Sequence, residues 1–333
     1  MELSLKKFKE KFYNDLLEIH WRHWTSLGVS SHVQPERYWI IDLEALIVST
    51  LAIGLLDKRL LSVSLEWLAK NGHWINLSRL KRIVTSFAKP FHGSQEPLIV
   101  PEICELFIEK YNKFARSNMI HEERAYYGSG AKMLNEYKNI FNTFKPKGVV
   151  TEPKLQNPSL VQLLLRGTFG VDARAEILIY LLSHDSGNSN SIAKEIYYNQ
   201  KNIYRILEQW THSQMVMKIS QNKTAKYSLQ KKGELLRVIG LEKIPAYLNW
   251  VRTFLWLDQI SKALSFPRWS ESEYLLSSFF RDLLNEAKAT GRTMNIIVPE
   301  PALYPGKEYF VPFAQVVLEI LKRLEKYDGK VPD

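Results

Sequence analysis

Residues Asp172 to Leu229 read DARAEILIYLLSHDSGNSNSIAKEIYYNQKNIYRILEQWTHSQMVMKISQNKTAKYSL, and this stretch decides the fold. Asp172 is a cap for a helix in which Ile177, Leu178, Leu181 and Leu182 share one face. The polar loop HDSGNSNS follows, with Gly187 and its Asn/Ser neighbours favouring turns. Asn190 or Ser191 then caps a short helix, Ile192–Tyr197, whose inner face is Ile192, Ala193 and Ile196. Tyr198 and Asn199 make a turn, and Asn199 caps a third helix, Gln200–Ser213. That helix turns Ile203, Ile206, Leu207 and Trp210 inward. Its other face carries Lys201, Tyr204, Arg205 and Glu208, with Gln200 and Asn202 at the N-terminal end. Met215–Ser220 and Ala225–Leu229 read as two strands around QNKT. Met217, Ile219, Tyr227 and Leu229 are expected inward; Lys218, Lys226 and the tip residue Lys223 are expected outward.

The expected fold class is mainly α. A helical N-terminal domain (1–150), a central three-helix-plus-ribbon unit (151–240) and a helical C-terminal region (241–333) are expected. The boundary at 144–158, FKPKGVVTEPKLQNP, has three prolines and a glycine. Asp42–Lys58 is apolar nearly all round, as a buried central helix would be. Helical patterns also cover residues 1–25, Leu60–Lys70, Asn76–Ala88, Ile244–Ser265, Ser272–Thr290 and Val311–Tyr327. Ser64–Phe87 is another helix-turn-helix pattern with a basic outer face, read here as an ordinary helical hairpin.

The formal net charge is +10, which favours polyanionic partners. Residues 160–240 hold 11 Lys/Arg against 6 Asp/Glu, whereas 241–333 hold 12 of each, so the positive density centres on the featured stretch. Cys104 is the only cysteine, which excludes an intrachain disulfide and a cysteine-rich zinc site and fits a cytoplasmic setting. The longest apolar run, Ala45–Leu56, is too short to span a bilayer, and no membrane association is expected.

The order of elements in 172–229 resembles the winged helix-turn-helix superfamily of transcription regulators, of the broad kind that includes the MarR and ArsR families. Ala193, Ile196, Ile203, Leu207, Trp210 and the ribbon with Lys223 carry the resemblance, over about residues 160–240. Tyr197 and Tyr198 occupy the turn where such families often place glycine. The resemblance implies a DNA-binding transcriptional regulator. Gln200, Lys201, Asn202, Tyr204 and Arg205 would lie in the major groove, and Lys218, Lys223 and Lys226 on the phosphate backbone. Double-stranded DNA is the expected partner, with room for a homodimer and for a small-molecule or protein effector. The alternative is a protein-interaction adaptor, or a neutralising partner of another enzyme, that uses the same unit for docking.

Other motifs point to less. His20 and His23 share a helical spacing suited to a metal, but Trp21 and Trp24 beside them favour packing. Gly128–Gly130 lacks the rest of a phosphate loop, and His121–Glu123 and Glu105/Glu109 read as helix surface. Trp250, Phe254 and Trp256 are either a dimer or ligand surface or plain core. No nucleophile elbow, dinucleotide fingerprint or spaced metal triad is present, so neither an enzyme nor a cofactor is expected.

Overall fold

The computed structural model describes residues 3–87, 100–110, 129–221 and 224–326. Among them the protein is mainly helical, with one two-stranded antiparallel sheet. The first part contributes α1 (Leu5–Ser26), α2 (Leu43–Ile53), α3 (Lys58–Asn71), α4 (Leu77–Phe87), α5 (Val100–Lys110) and α6 (Ser129–Thr143). The middle holds α7 (Val161–Phe169), α8 (Ala173–Ser183), α9 (Ser189–Ile196), α10 (Gln200–His212), β1 (Val216–Gln221), β2 (Thr224–Leu229) and α11 (Lys232–Val238). Then come α12 (Trp250–Ser265), α13 (Pro267–Ser270), α14 (Glu273–Asp282), α15 (Leu284–Thr293) and α16 (Phe310–Glu325). No helix among the described residues is long and apolar enough to cross a membrane.

Described helices from both 1–150 and 241–333 line the main core, pooling their apolar faces there. α1 presents Phe8, Phe12, Leu16 and Ile19 at helical spacing, and all are buried. The Phe8 ring meets Phe280 and Phe310 edge-on, at 6.1 and 5.8 Å between centroids. α2 runs through the middle and is buried on nearly every side, as its composition demands. Asp42 caps it by accepting the Ala45 N–H at 3.1 Å. Trp250, Phe254 and Trp256 belong to this shared core and are buried. A second core runs from Val161 to Leu229 and takes in Ile40 from the first part, while Leu160 and Leu163 turn to the shared core.

Two connections differ from expectation. The proline-containing stretch 144–158, read as a linker, is held against the body by hydrogen bonds. Glu66 accepts the N–H groups of Lys147 and Val149 at 2.8 and 2.9 Å, and Val150 bridges to Val29. This close approach needs Gly28, whose φ is +97° and where a Cβ would lie 2.8 Å from the Thr151 carbonyl oxygen. At the other boundary the helix expected from Ile244 begins only at Trp250. Pro245 interrupts the periodicity, Ala246 pairs with Trp39 as an isolated bridge, and Asn249 caps α12. The expected Ser272–Thr290 helix is likewise two, broken at Leu283.

Candidate nucleic-acid interface

The helices of 172–213 form where their caps place them. Asp172 caps α8 and Asn199 caps α10, the latter by accepting the Lys201 N–H at 2.9 Å. α9 starts earlier than expected. Its cap is Asn188, not Asn190 or Ser191, because Asn188 and Ser191 satisfy each other's N–H groups reciprocally, at 2.8 and 3.1 Å. Gly187 is not a free turn. Its N–H and carbonyl pair with the carbonyl and N–H of Tyr227, so the loop adds a one-residue rung to β2. α9 ends at Ile196, and Tyr197 takes the left-handed conformation, with φ 61° and ψ 46°. A tyrosine thus fills a glycine-type position, and its ring packs partly against the shared core.

α10 buries Ile203, Ile206 and Leu207 and leaves Trp210 half-buried. Gln200, Lys201, Tyr204 and Arg205 are exposed on the other side, and Asn202 is half-buried. Tyr204 keeps 45% of its surface in solvent. The Arg205 guanidinium donates to Asn202 Oδ1 at 3.0 Å, and Gln200 Nε2 donates to Ser189 Oγ at 2.9 Å. Lys201, Asn202, Tyr204 and Arg205 therefore stand together on one face, which continues past Glu208 to His212 as a shallow groove.

The hairpin corrects the expected phase of β1 and keeps that of β2, where Tyr227 and Leu229 are buried and Lys226 is exposed. Lys218 pairs with Tyr227 and Val216 with Leu229, so these four side chains share the face turned to α10. Met217 and Ile219 point away and are each 45% exposed. Lys218 is consequently not an outward cation. Its Nζ lies 2.8 Å from Glu208 Oε1, an oxygen that also accepts from Tyr227 Oη at 2.6 Å. The Lys218 bond, then the Tyr227 bond, hold the Glu208 carboxyl below its usual range. Lys226 faces out beside Ile219 and is exposed. Lys223 lies outside the described residues.

A second polar assembly was not foreseen. Arg79 of α4 binds Asp42 through two contacts of 2.6 and 2.5 Å, and Glu44 at 2.6 Å. Its Nε donates to the Ile196 carbonyl at 3.0 Å. Arg166 of α7 binds both oxygens of Glu44 at 2.7 Å and reaches Glu176 at 2.5 Å. Gln162 donates to the other Glu176 oxygen at 3.1 Å and accepts the Leu43 N–H at 2.9 Å. Glu44, Arg79, Arg166 and Glu176 are almost wholly buried. Burial alone would raise the Asp42 and Glu44 carboxyls; the guanidinium groups outweigh it and hold both below their usual values. Glu44 in an otherwise apolar helix was the one sequence signal for this network.

His20 and His23 are core residues. His20 donates from Nδ1 to the Leu16 carbonyl at 2.8 Å; burial favours the neutral ring, in which Nε2 accepts from Ser49 at 2.9 Å. His23 stands edge-on to Trp250 at 4.6 Å, and neither ring nitrogen has a partner. No group of three or more metal-ligating side chains occurs among the described residues. Cys104 is buried, which raises its thiol. His121–Glu123 and Gly128 lie outside the described residues, while Ser129 and Gly130 open α6. Comparison with protein-family models, curated proteins and solved structures finds no significant match.

Proposed function

We propose that residues 160–240 form a winged helix-turn-helix and that the protein is a DNA-binding transcriptional regulator. α10 is the recognition helix and the β1–β2 hairpin the wing. One observation carries this reading: Lys201, Tyr204 and Arg205 stand together in solvent on a helix whose opposite face is buried. An exposed helix with cations and amides on its N-terminal half suits the major groove, where such side chains reach base edges and phosphates. The test is fluorescence anisotropy of labelled genomic duplexes with the full chain at several salt concentrations. Binding that weakens steeply with salt is expected. Absence of salt-dependent binding to any duplex sinks the reading.

A protein-docking role is the second reading, and the hairpin favours it. Its outer face is apolar at Met217 and Ile219, while Lys218 is spent on Glu208. A partner protein would cover those two side chains, and Met217→Ser with Ile219→Ser would release it. Duplex binding unchanged in that variant separates the two readings.

A further inference from the structure

A cleft of about 1060 Å³ opens where the unit of residues 160–247 meets the shared-core body. The C-terminal end of α8 and Glu195 of α9 form one wall. The start of α12 and a stretch of α15 form the other, with residues 240–248 and the Arg37–Tyr38 pair completing it. No residue of α10 lines it, so it is distinct from the face proposed for DNA. A cleft of this size between two packed units is the usual setting for a small ligand.

Its lining carries three cations, Arg37, Lys243 and Arg252, against two carboxylates, Glu195 and Glu242. None of the three cations forms an ion pair among the described residues. Of the two carboxylates, Glu195 already accepts from Tyr247 Oη, at 3.4 Å. Asn249 caps the 16-residue α12, so the positive end of that helix also points at the cleft. Independently, Thr290 lines the cleft, is 3% exposed, and has a hydroxyl with no partner. The Ser183 hydroxyl on the opposite wall is unpartnered too. Buried hydroxyls are rarely left so in native proteins unless something else satisfies them. Tyr38, 48% exposed, adds an aromatic face beside Arg37.

We infer that the cleft binds a small organic phosphate of mononucleotide size. The cations and the α12 terminus take the phosphate, Thr290 and Ser183 take polar groups of the ligand, and Tyr38 takes a planar ring. The inference does not depend on whether α10 reads DNA.

Calorimetric titration of the full chain with AMP, ATP and inorganic phosphate tests it. Saturable nucleotide binding is expected, weakened at least about tenfold by Arg252→Gln and several-fold by Thr290→Val. Arg252 is exposed and Thr290 loses only an unpartnered hydroxyl, so both variants should fold, which thermal unfolding checks. Arg205→Ala should leave the titration unchanged. Inorganic phosphate binding as tightly as AMP overturns the role given to the ring. Absence of saturable binding by all three probes, or binding lost in Arg205→Ala but kept in Arg252→Gln, overturns the site.

Discussion

Arg79 donates through Nε to the carbonyl of Ile196, at 3.0 Å, while its other nitrogens hold Asp42 and Glu44. Ile196 closes α9 immediately before the left-handed Tyr197. The body therefore grips the turn between α9 and α10 by its backbone and fixes the angle at which α10 is presented.

Removing this guanidinium takes the cation from the partly buried Asp42 and leaves Glu44 with Arg166 alone. Arg79→Ala is expected to cost about 3–5 kcal/mol, since breaking a buried ion pair leaves an uncompensated charge. Urea unfolding of the variant against the parent chain measures it. A loss under about 1 kcal/mol would mean that Arg166 alone satisfies Glu44.

Stability should fall with acid in two stages. His20 is held down to about 4, by burial first, while the unfolded ring titrates near 6.5. Its folded value is the lower one, so the unfolded chain gains the proton first, and stability drops as pH falls from 6.5 toward 4. The depressed Asp42 and Glu44 contribute above their unfolded values of 3.8 and 4.5, and that contribution goes as pH falls further. His23, also lowered by burial, adds to the first stage. His23→Phe should flatten that stage and stabilise the protein by about 1 kcal/mol, because it removes two unpartnered nitrogens. Unfolding midpoints between pH 7.5 and 4 read both effects.

On the duplex, Arg205→Ala should cost about 1–3 kcal/mol of specific binding if Arg205 reads a base edge. Glu208→Gln should act oppositely. It removes a negative charge from the α10 face and frees Lys218, so affinity should rise and the salt slope steepen by about 1. Anisotropy at four salt concentrations checks both. Unchanged binding in Glu208→Gln would place the duplex away from β1.

Gly187→Ala tests the rung on β2. The added methyl would lie 2.7 Å from the Tyr180 ring and 2.9 Å from Ile192. Overpacking of this kind costs about 1–3 kcal/mol. A smaller loss by urea unfolding would mean that the Tyr180 ring swings aside.

The two faces of α10 were legible in sequence because one helical period separates Ile203, Ile206 and Leu207 from Lys201, Tyr204 and Arg205. The phase of β1 was not. Val216, Met217 and Ile219 put apolar side chains on both faces, so alternation is silent, and the register opposite Tyr227 decides. The α9 cap was ambiguous among the Asn and Ser residues of NSNS until Ser191 was seen to reciprocate Asn188. Asp42, Glu44, Arg79, Arg166 and Glu176 have no spacing relation, so their network leaves no pattern to read. Sequence distance likewise hid the packing of Phe8 on Phe310.

That last pairing has a consequence for synthesis. The core around α8 to β2 draws only on residues up to about 247, so it is complete as soon as that length has left the ribosome. α1 must wait until Phe310–Glu325 has emerged before Phe8 and Phe12 have their cover. During that interval the nascent chain carries a finished central unit and an unsealed aromatic helix, the state in which chaperone holding matters most.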